Sequence, residues 1–273
     1  MIQDIAPLHL NNHYDPDARP DADSLVIRFD GDRVIAALEP ELHFPRAAAF
    51  GKLPELTYLF TVGEERYFLL NEDAGVPEGF AMLPVRELRT GGKQPKHRVF
   101  ALMTAWHIAA WYRDNRFCGR CGTEMRHSDT ERCRCCPACG YHSYPRIMPA
   151  VIVGVRDGDR LLLTRYRTGF KHNALIAGFT EIGETAEETV QREVMEEVGL
   201  KVKNIRYYKS QPWGIANDLL LGFYCDADGS REIRLDGEEL GSGLWTKRED
   251  IELQPDDYSL TNEMMRMFKE GKA

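Results

Sequence analysis

No apolar run in this 273-residue chain approaches the 18 or so residues that a membrane-crossing helix needs. The opening MIQDIAPLHLNNHYD has neither the basic nor the apolar stretch of a secretory leader. The expectation is therefore a soluble, cytoplasmic protein without a membrane partner. Positive charge is also short: Lys+Arg number 35 against 43 Asp+Glu, a formal net charge of −8. That balance argues against broad binding to nucleic acid or anionic lipid, while leaving room for a locally basic module. Cysteine is sparse outside one stretch, since six of the seven lie between residues 118 and 139 and only Cys225 stands elsewhere. An odd, crowded set of this kind does not make a secreted disulfide framework, and metal binding accounts for it better.

What the chain does have is concentrated in residues 178–200, GFTEIGETAEETVQREVMEEVGL. Thr185 and Glu188 have the spacing of a capping box, which predicts a helix from about residue 186. Ala186, Val190, Val194 and Val198 recur every four residues as an apolar stripe, and Gly199 offers a left-handed stop. Glu193, Glu196 and Glu197 fall at i, i+3 and i+4 and so share one face. A solvated acidic face would account for them. Hard cations such as Mg²⁺ or Mn²⁺ would also account for them, because such ions take oxygen ligands and keep positions for water and phosphate.

Gly178, Glu184, Arg192-Glu193, Glu196-Glu197 and Gly199-Leu200 stand at every fixed position of the Nudix box, so the segment resembles that family. The resemblance implies an α/β/α sandwich and a divalent-metal hydrolase of diphosphates linked to nucleosides. It would make Glu193 and Glu197 metal ligands, Glu196 an assistant to metal or water, and Arg192 a partner that holds a carboxylate in place. The carbonyl of Ala177 and a late carboxylate would complete the magnesium or manganese site. Glu239 is favoured over Glu238 for that carboxylate, although a charged loop tip explains either.

Upstream, Cys118-x-x-Cys121 and Cys136-x-x-Cys139, separated by 14 residues, match a closed tetrahedral zinc site of structural type. Cys133 with Cys136 would also make a C-x-x-C. Both knuckles end in glycine only with Cys136 and Cys139, which leaves Cys133 and Cys135 as spare thiols. Six arginines between residues 113 and 134 suit either an anion-facing surface or an ordinary solvated ribbon.

The fold class expected is α+β: an N-terminal β-rich domain over residues 1–97, a helix and four-cysteine zinc ribbon over 98–145, and a Nudix α/β/α sandwich over 146–273. In the first, 25–29, 33–38, 56–62 and 66–70 read as strands with turns at Asp30-Gly31-Asp32 and Gly63-Glu64-Glu65. His43 reads as structural, and Gly91-Gly92-Lys93 as a loop. Residues 98–112 are apolar around most of a helix, so they read as packed between domains or subunits. Trp106 and Trp111 within them suit core packing or base stacking. Later, 147–155 and 160–165 pair about Asp157-Gly158-Asp159, 204–213 and 218–225 are strands, a short strand falls at Leu244-Trp245, and 260–269 closes as a helix.

The ribbon, the box and Ser210-Gln211-Pro212-Trp213 together resemble the NADH pyrophosphatase branch of the Nudix family. That branch splits NAD(H) into nicotinamide mononucleotide and AMP, can remove NAD caps from RNA, and forms homodimers. The resemblance makes Glu131, Tyr144, Phe179 and Trp213 substrate contacts, with Gln211, Pro212, Asp218 and Thr261 beside them. Phe179 is equally suited to a core role. The branch signature continues as PFPxS, where this chain has Gly214-Ile215-Ala216-Asn217-Asp218. The departure bears on substrate choice and keeps open ADP-ribose, another nucleoside diphosphate derivative, or a non-enzymatic nucleotide sensor.

Overall fold

A computed structural model describes every residue except 53–54, 90–93, 236 and 238. The expected loop at Gly91-Gly92-Lys93 and the candidate Glu238 thus lie outside the described residues. The chain divides into two compact units. One comprises Ile2–Arg146 and Gly214–Asn217, the other Met1, Ile147–Trp213 and Asp218–Ala273.

The first unit opens with strands β1 (Leu10–Asn11), β2 (Leu25–Ile27), β3 (Phe29–Asp30), β4 (Arg33–Ala36), β5 (Thr57–Val62), β6 (Glu65–Leu69) and β7 (Ala81–Pro84). They form two sheets, ordered β1-β5-β6-β2 and β3-β4-β7. The hairpin glycines Gly31 and Gly63 take φ of 55° and 57°, the left-handed geometry that such turns demand. Phe60 stacks on Tyr67 at 5.0 Å in the interior. His43 Nδ1 lies 2.7 Å from the Glu41 carbonyl oxygen, a local structural bond.

Short helix α1 (Val85–Leu88) precedes α2 (Lys96–Asp114), on which Val99, Ala101, Leu102, Ala105 and Ile108 are buried. Both tryptophans serve packing: Trp106 meets Phe29 edge-on at 5.2 Å, and Trp111 is buried against Tyr112 at 4.6 Å. The ribbon adds β8 (Arg126–His127), β9 (Arg134–Cys135) and β10 (His142–Ser143), in the order β10-β9-β8.

In the second unit, β11 (Met148–Asp157), β12 (Arg160–Tyr166), β13 (Ile176–Phe179), β14 (Lys201–Trp213), β15 (Asp218–Asp228) and β16 (Leu240–Lys247) form one sheet. The order is β14-β15-β11-β12-β16, with β13 also paired to β11. Only the β11 and β15 pair is parallel among the pairings within this sheet, all described here. Side chains alternate faces along a strand, and β11 shows the result. Val151, Val153 and Val155 join the core beneath α3 (Ala186–Val198), while Ala150 and Ile152 join the opposite core beneath α4 (Leu260–Lys269). The sandwich follows from that alternation.

Helix α3 starts and stops where its caps dictate. Thr185 N–H donates to Glu188 Oε2 at 2.7 Å, and Glu188 N–H donates to Thr185 Oγ1 at 3.2 Å. Gly199 closes the helix at φ 69°. Val190, Val194 and Val198 are fully buried, each contributing about 1.5–3 kcal/mol. On the other face, Gly154 leaves room for the Tyr224 ring, which a Cβ would approach to 2.7 Å. The Tyr224 hydroxyl then donates to the Met264 carbonyl at 2.6 Å, tying sheet to α4.

Candidate active site

Antiparallel pairing of β13 with β11 sets Gly178 opposite Val151 and Ala177 opposite Ile152. Cross-strand neighbours share a face, so Gly178 faces α3 and the Ala177 side chain packs toward the α4 core. The Glu193 carboxylate lies directly over Gly178. A Cβ built there would stand 1.9 Å from the carboxyl carbon and 2.0 and 2.2 Å from its oxygens. Glycine is needed here for close approach, since the position has no left-handed φ.

Arg192 ties the cluster together. Its guanidinium donates to Glu184 Oε1 at 2.6 Å and Oε2 at 2.9 Å, to Glu193 Oε1 at 2.7 Å, to Glu196 Oε2 at 3.0 Å and to the Phe179 carbonyl at 2.8 Å. A planar fork with fixed donors can serve so many acceptors, whereas an ammonium cannot. The Arg192 hydrogen bonds hold the Glu184 carboxyl down to about 2. Burial pushes the Glu193 carboxyl above its usual range, opposed by Arg192 and reinforced by Glu196 and Glu239. Glu197 is buried on α3. Burial, then the Glu197 and Glu239 charges, push the Tyr166 phenol up to about 12. Glu239 is itself exposed and gives its carbonyl to the Arg167 N–H at 3.1 Å.

Arg192 thus holds Glu193 and Glu196 together on α3, the helix on which Glu197 is buried. Carboxylates crowded on one helix, with one of them partly desolvated, are the oxygen donors a hard divalent ion takes. Glu184 was not among the expected site residues, although its fixed place eight residues before Arg192 was the available signal. Tyr166 carries no sequence signal at all.

The expected substrate residues divide between the units. Phe179 is 50% exposed on β13, which resolves its alternatives in favour of an accessible ring. Pro212 is exposed, and Trp213 is half-buried against the α4 core. Gln211 is wholly buried: its amide donates to the Tyr258 carbonyl at 2.7 Å and accepts from the Leu260 N–H at 2.7 Å, which gives the side chain a role in joining β14 to α4. Thr261 sits half-buried in the first turn of α4, behind the Ser259 cap. Asp218 begins β15 almost fully buried, and desolvation pushes its carboxyl up to about 6. In the other unit, the Tyr144 hydroxyl donates to Glu131 Oε1 at 2.8 Å, and the ring stays exposed. Gly214 packs on α2, where a Cβ would come 2.2 Å from the Met103 carbonyl oxygen, so no larger residue fits. That contact is a physical reason for the departure from proline at this position.

The ribbon brings Cys118, Cys121, Cys136 and Cys139 together, all four sulfurs within 4.8 Å of one another. Cys118 and Cys139 are 3.7 Å apart and Cys121 and Cys136 3.4 Å. Ligands about 2.3 Å from a shared zinc at tetrahedral angles stand about 3.8 Å apart, so the donor set fits.

Residues 146–268 match the NUDIX domain, and residues 113–144 match the NADH pyrophosphatase zinc ribbon domain. A Citrobacter koseri protein named NAD-capped RNA hydrolase NudC is 37% identical over 242 residues, covering 85% of this chain and 91% of that protein. An Escherichia coli O1:K1 / APEC protein of the same name is 44% identical over 151 residues, 54% of this chain, and the match spans 58% of its length. A NUDIX hydrolase structure from Nitrosomonas europaea aligns at a TM-score of 0.49 and 22% identity, over 57% of this chain and 91% of that one. With a relative so similar along nearly the whole of both chains, and with ribbon and box each matched in place, the chain belongs to the Nudix family, among its members with an NADH pyrophosphatase zinc ribbon.

Proposed function

We propose that this chain hydrolyses the diphosphate bond of NAD(H) to nicotinamide mononucleotide and AMP, and acts likewise on NAD-capped RNA. The observation that carries the reading is the carboxylate cluster bound to Arg192 and seated on Gly178, in a chain whose relatives are named for NAD-cap hydrolysis. Glu193, Glu197, Glu239 and the Ala177 carbonyl are the proposed holders of Mg²⁺ or Mn²⁺. Such an ion, when bound, neutralises diphosphate charge and acidifies water. Arg192 fixes Glu193 and Glu196 in position and so pre-pays the ordering of the site. Glu196 is the proposed acceptor for the proton of the attacking water. The exposed faces of Phe179 and Tyr144, with Trp213, offer stacking for bases and nicotinamide, an interaction that tolerates many rings. Zinc on the four cysteines takes no part in the reaction, and the working assembly is a homodimer.

A buried carboxyl at Asp218, in place of the hydroxyl at the end of the branch signature, favours a second reading in which ADP-ribose is preferred. Turnover of NADH, NAD, ADP-ribose and NAD-capped RNA with Mg²⁺ or Mn²⁺, with products identified by mass, separates the two. Nicotinamide mononucleotide as the leading product supports the first reading. Dominant turnover of ADP-ribose replaces it with the second.

A further inference from the structure

The four-cysteine site leaves over Cys133 and Cys135, two residues apart on one extended stretch, so their side chains leave the same face. Pairing of β9 with β10 sets Cys135 directly opposite His142, and cross-strand partners also share a face. The intervening Arg134 is buried, with its guanidinium bonded to the Met125 carbonyl. Strand geometry thus collects two thiols and an imidazole. Their ligand atoms all lie within 4.8 Å of one another, and the two sulfurs are 3.8 Å apart. That separation is the one expected for two thiolates sharing a tetrahedral ion, about 3.8 Å, and it nearly equals the 3.7 Å between Cys118 and Cys139. A disulfide would need about 2.0 Å.

We propose that Cys133, Cys135 and His142 form a second metal site that takes Zn²⁺ through two thiolates and one imidazole, with water in the fourth position. Two sulfurs and a nitrogen suit a borderline-soft ion and exclude Mg²⁺ or Mn²⁺ as the natural occupant. Three protein ligands with a replaceable fourth differ in kind from the sealed four-cysteine site. Cys133 is buried, Cys135 half-buried and His142 exposed, so the ion is reached from the histidine side. The Tyr144 ring lies 6.5 Å from that of His142, and its hydroxyl holds Glu131. The site therefore adjoins the two ribbon residues proposed to contact substrate.

The test is zinc stoichiometry of the full-length protein, purified under reducing conditions without chelator and equilibrated with Zn²⁺. The expected result is two zinc ions per wild-type chain, falling to one in His142→Ala and in Cys135→Ser. His142 is exposed, so its replacement spares the core and keeps the test valid if the cysteine variant misfolds. Replacement of the bound zinc by Co²⁺ should give wild-type thiolate charge-transfer absorption that loses about a third in His142→Ala, as two of six thiolates leave the metal. One zinc per wild-type chain, unchanged in His142→Ala, overturns the proposal. So does an intact mass showing Cys133 and Cys135 joined as a disulfide in the reduced, zinc-equilibrated protein.

Discussion

Gly178→Ala tests the geometry of the carboxylate cluster with one methyl group. The backbone tolerates alanine there, because Gly178 is not in the left-handed region. The added Cβ, however, falls 1.9 Å from the Glu193 carboxyl carbon, and the side chain must retreat by roughly 1.5–2 Å to reach ordinary van der Waals separation. Glutamate is flexible, so the retreat costs the fold little, about 1 kcal/mol from the weakened Arg192 contact. For catalysis the consequence is larger. A misplacement of about 1 Å in a catalytic arrangement costs about 10²-fold, or nearly 3 kcal/mol of barrier. The expected outcome is an unchanged circular dichroism spectrum, a midpoint of thermal unfolding within a few degrees of wild type, and dinucleotide turnover down at least 10²-fold. Isothermal titration with Mn²⁺ should show weakened binding in parallel. Wild-type turnover and wild-type Mn²⁺ affinity together would refute the reasoning, because Glu193 cannot remain where it is beside a Cβ.

Glu197→Gln should abolish hydrolysis while zinc content and unfolding midpoint stay at wild-type values, since one oxygen ligand is weakened without change of volume. Arg192→Lys keeps the charge but loses the fork that spans Glu184, Glu193, Glu196 and the Phe179 carbonyl, so turnover should drop about 10²-fold; a kcat against KM comparison reads the change. For Asp218, the folded pKa of about 6 lies above the ordinary 3.8, so the native state holds its proton longer and stability falls as pH rises from about 4 to 6. Asp218→Asn should therefore stabilise the protein at pH 7.5 by up to about 3 kcal/mol, with the gain vanishing toward pH 4, as chemical denaturation at both values will show. Cys118→Ser should release zinc and open the ribbon to proteolysis, because structural zinc contributes on the order of 10 kcal/mol to such small modules.

The helix of the box was legible to the residue because its signals are local: a reciprocal cap, a four-residue apolar rhythm and a glycine stop. The hairpin partners β5 and β6, and β11 and β12, were equally plain, since each pair flanks a glycine turn. Strands β1 and β7 were not, because two to four residues with mixed exposure carry no periodicity and exist only by pairing with distant neighbours. The same division holds at the site. Spacing alone grouped Glu193, Glu196 and Glu197, but the seat that Gly178 makes for Glu193 depends on β13 lying beside β11 and beneath α3. Gln211 shows the converse: read within its motif it faced substrate, whereas its amide is spent on the backbone at the start of α4.

The parallel pairing of β11 with β15 joins Met148 to Asp218 and runs to Arg156 beside Asp226. Everything that carries the acidic residues of α3 is strung between those two strands. A ribosome must therefore release some seventy further residues after β11 before the central ladder can zip, and such late, non-local closure slows assembly. Nascent chains halted between α3 and β15 hold Glu193, Glu196 and Glu197 yet lack the strand that would fasten their scaffold, and Glu239 is added only after β15.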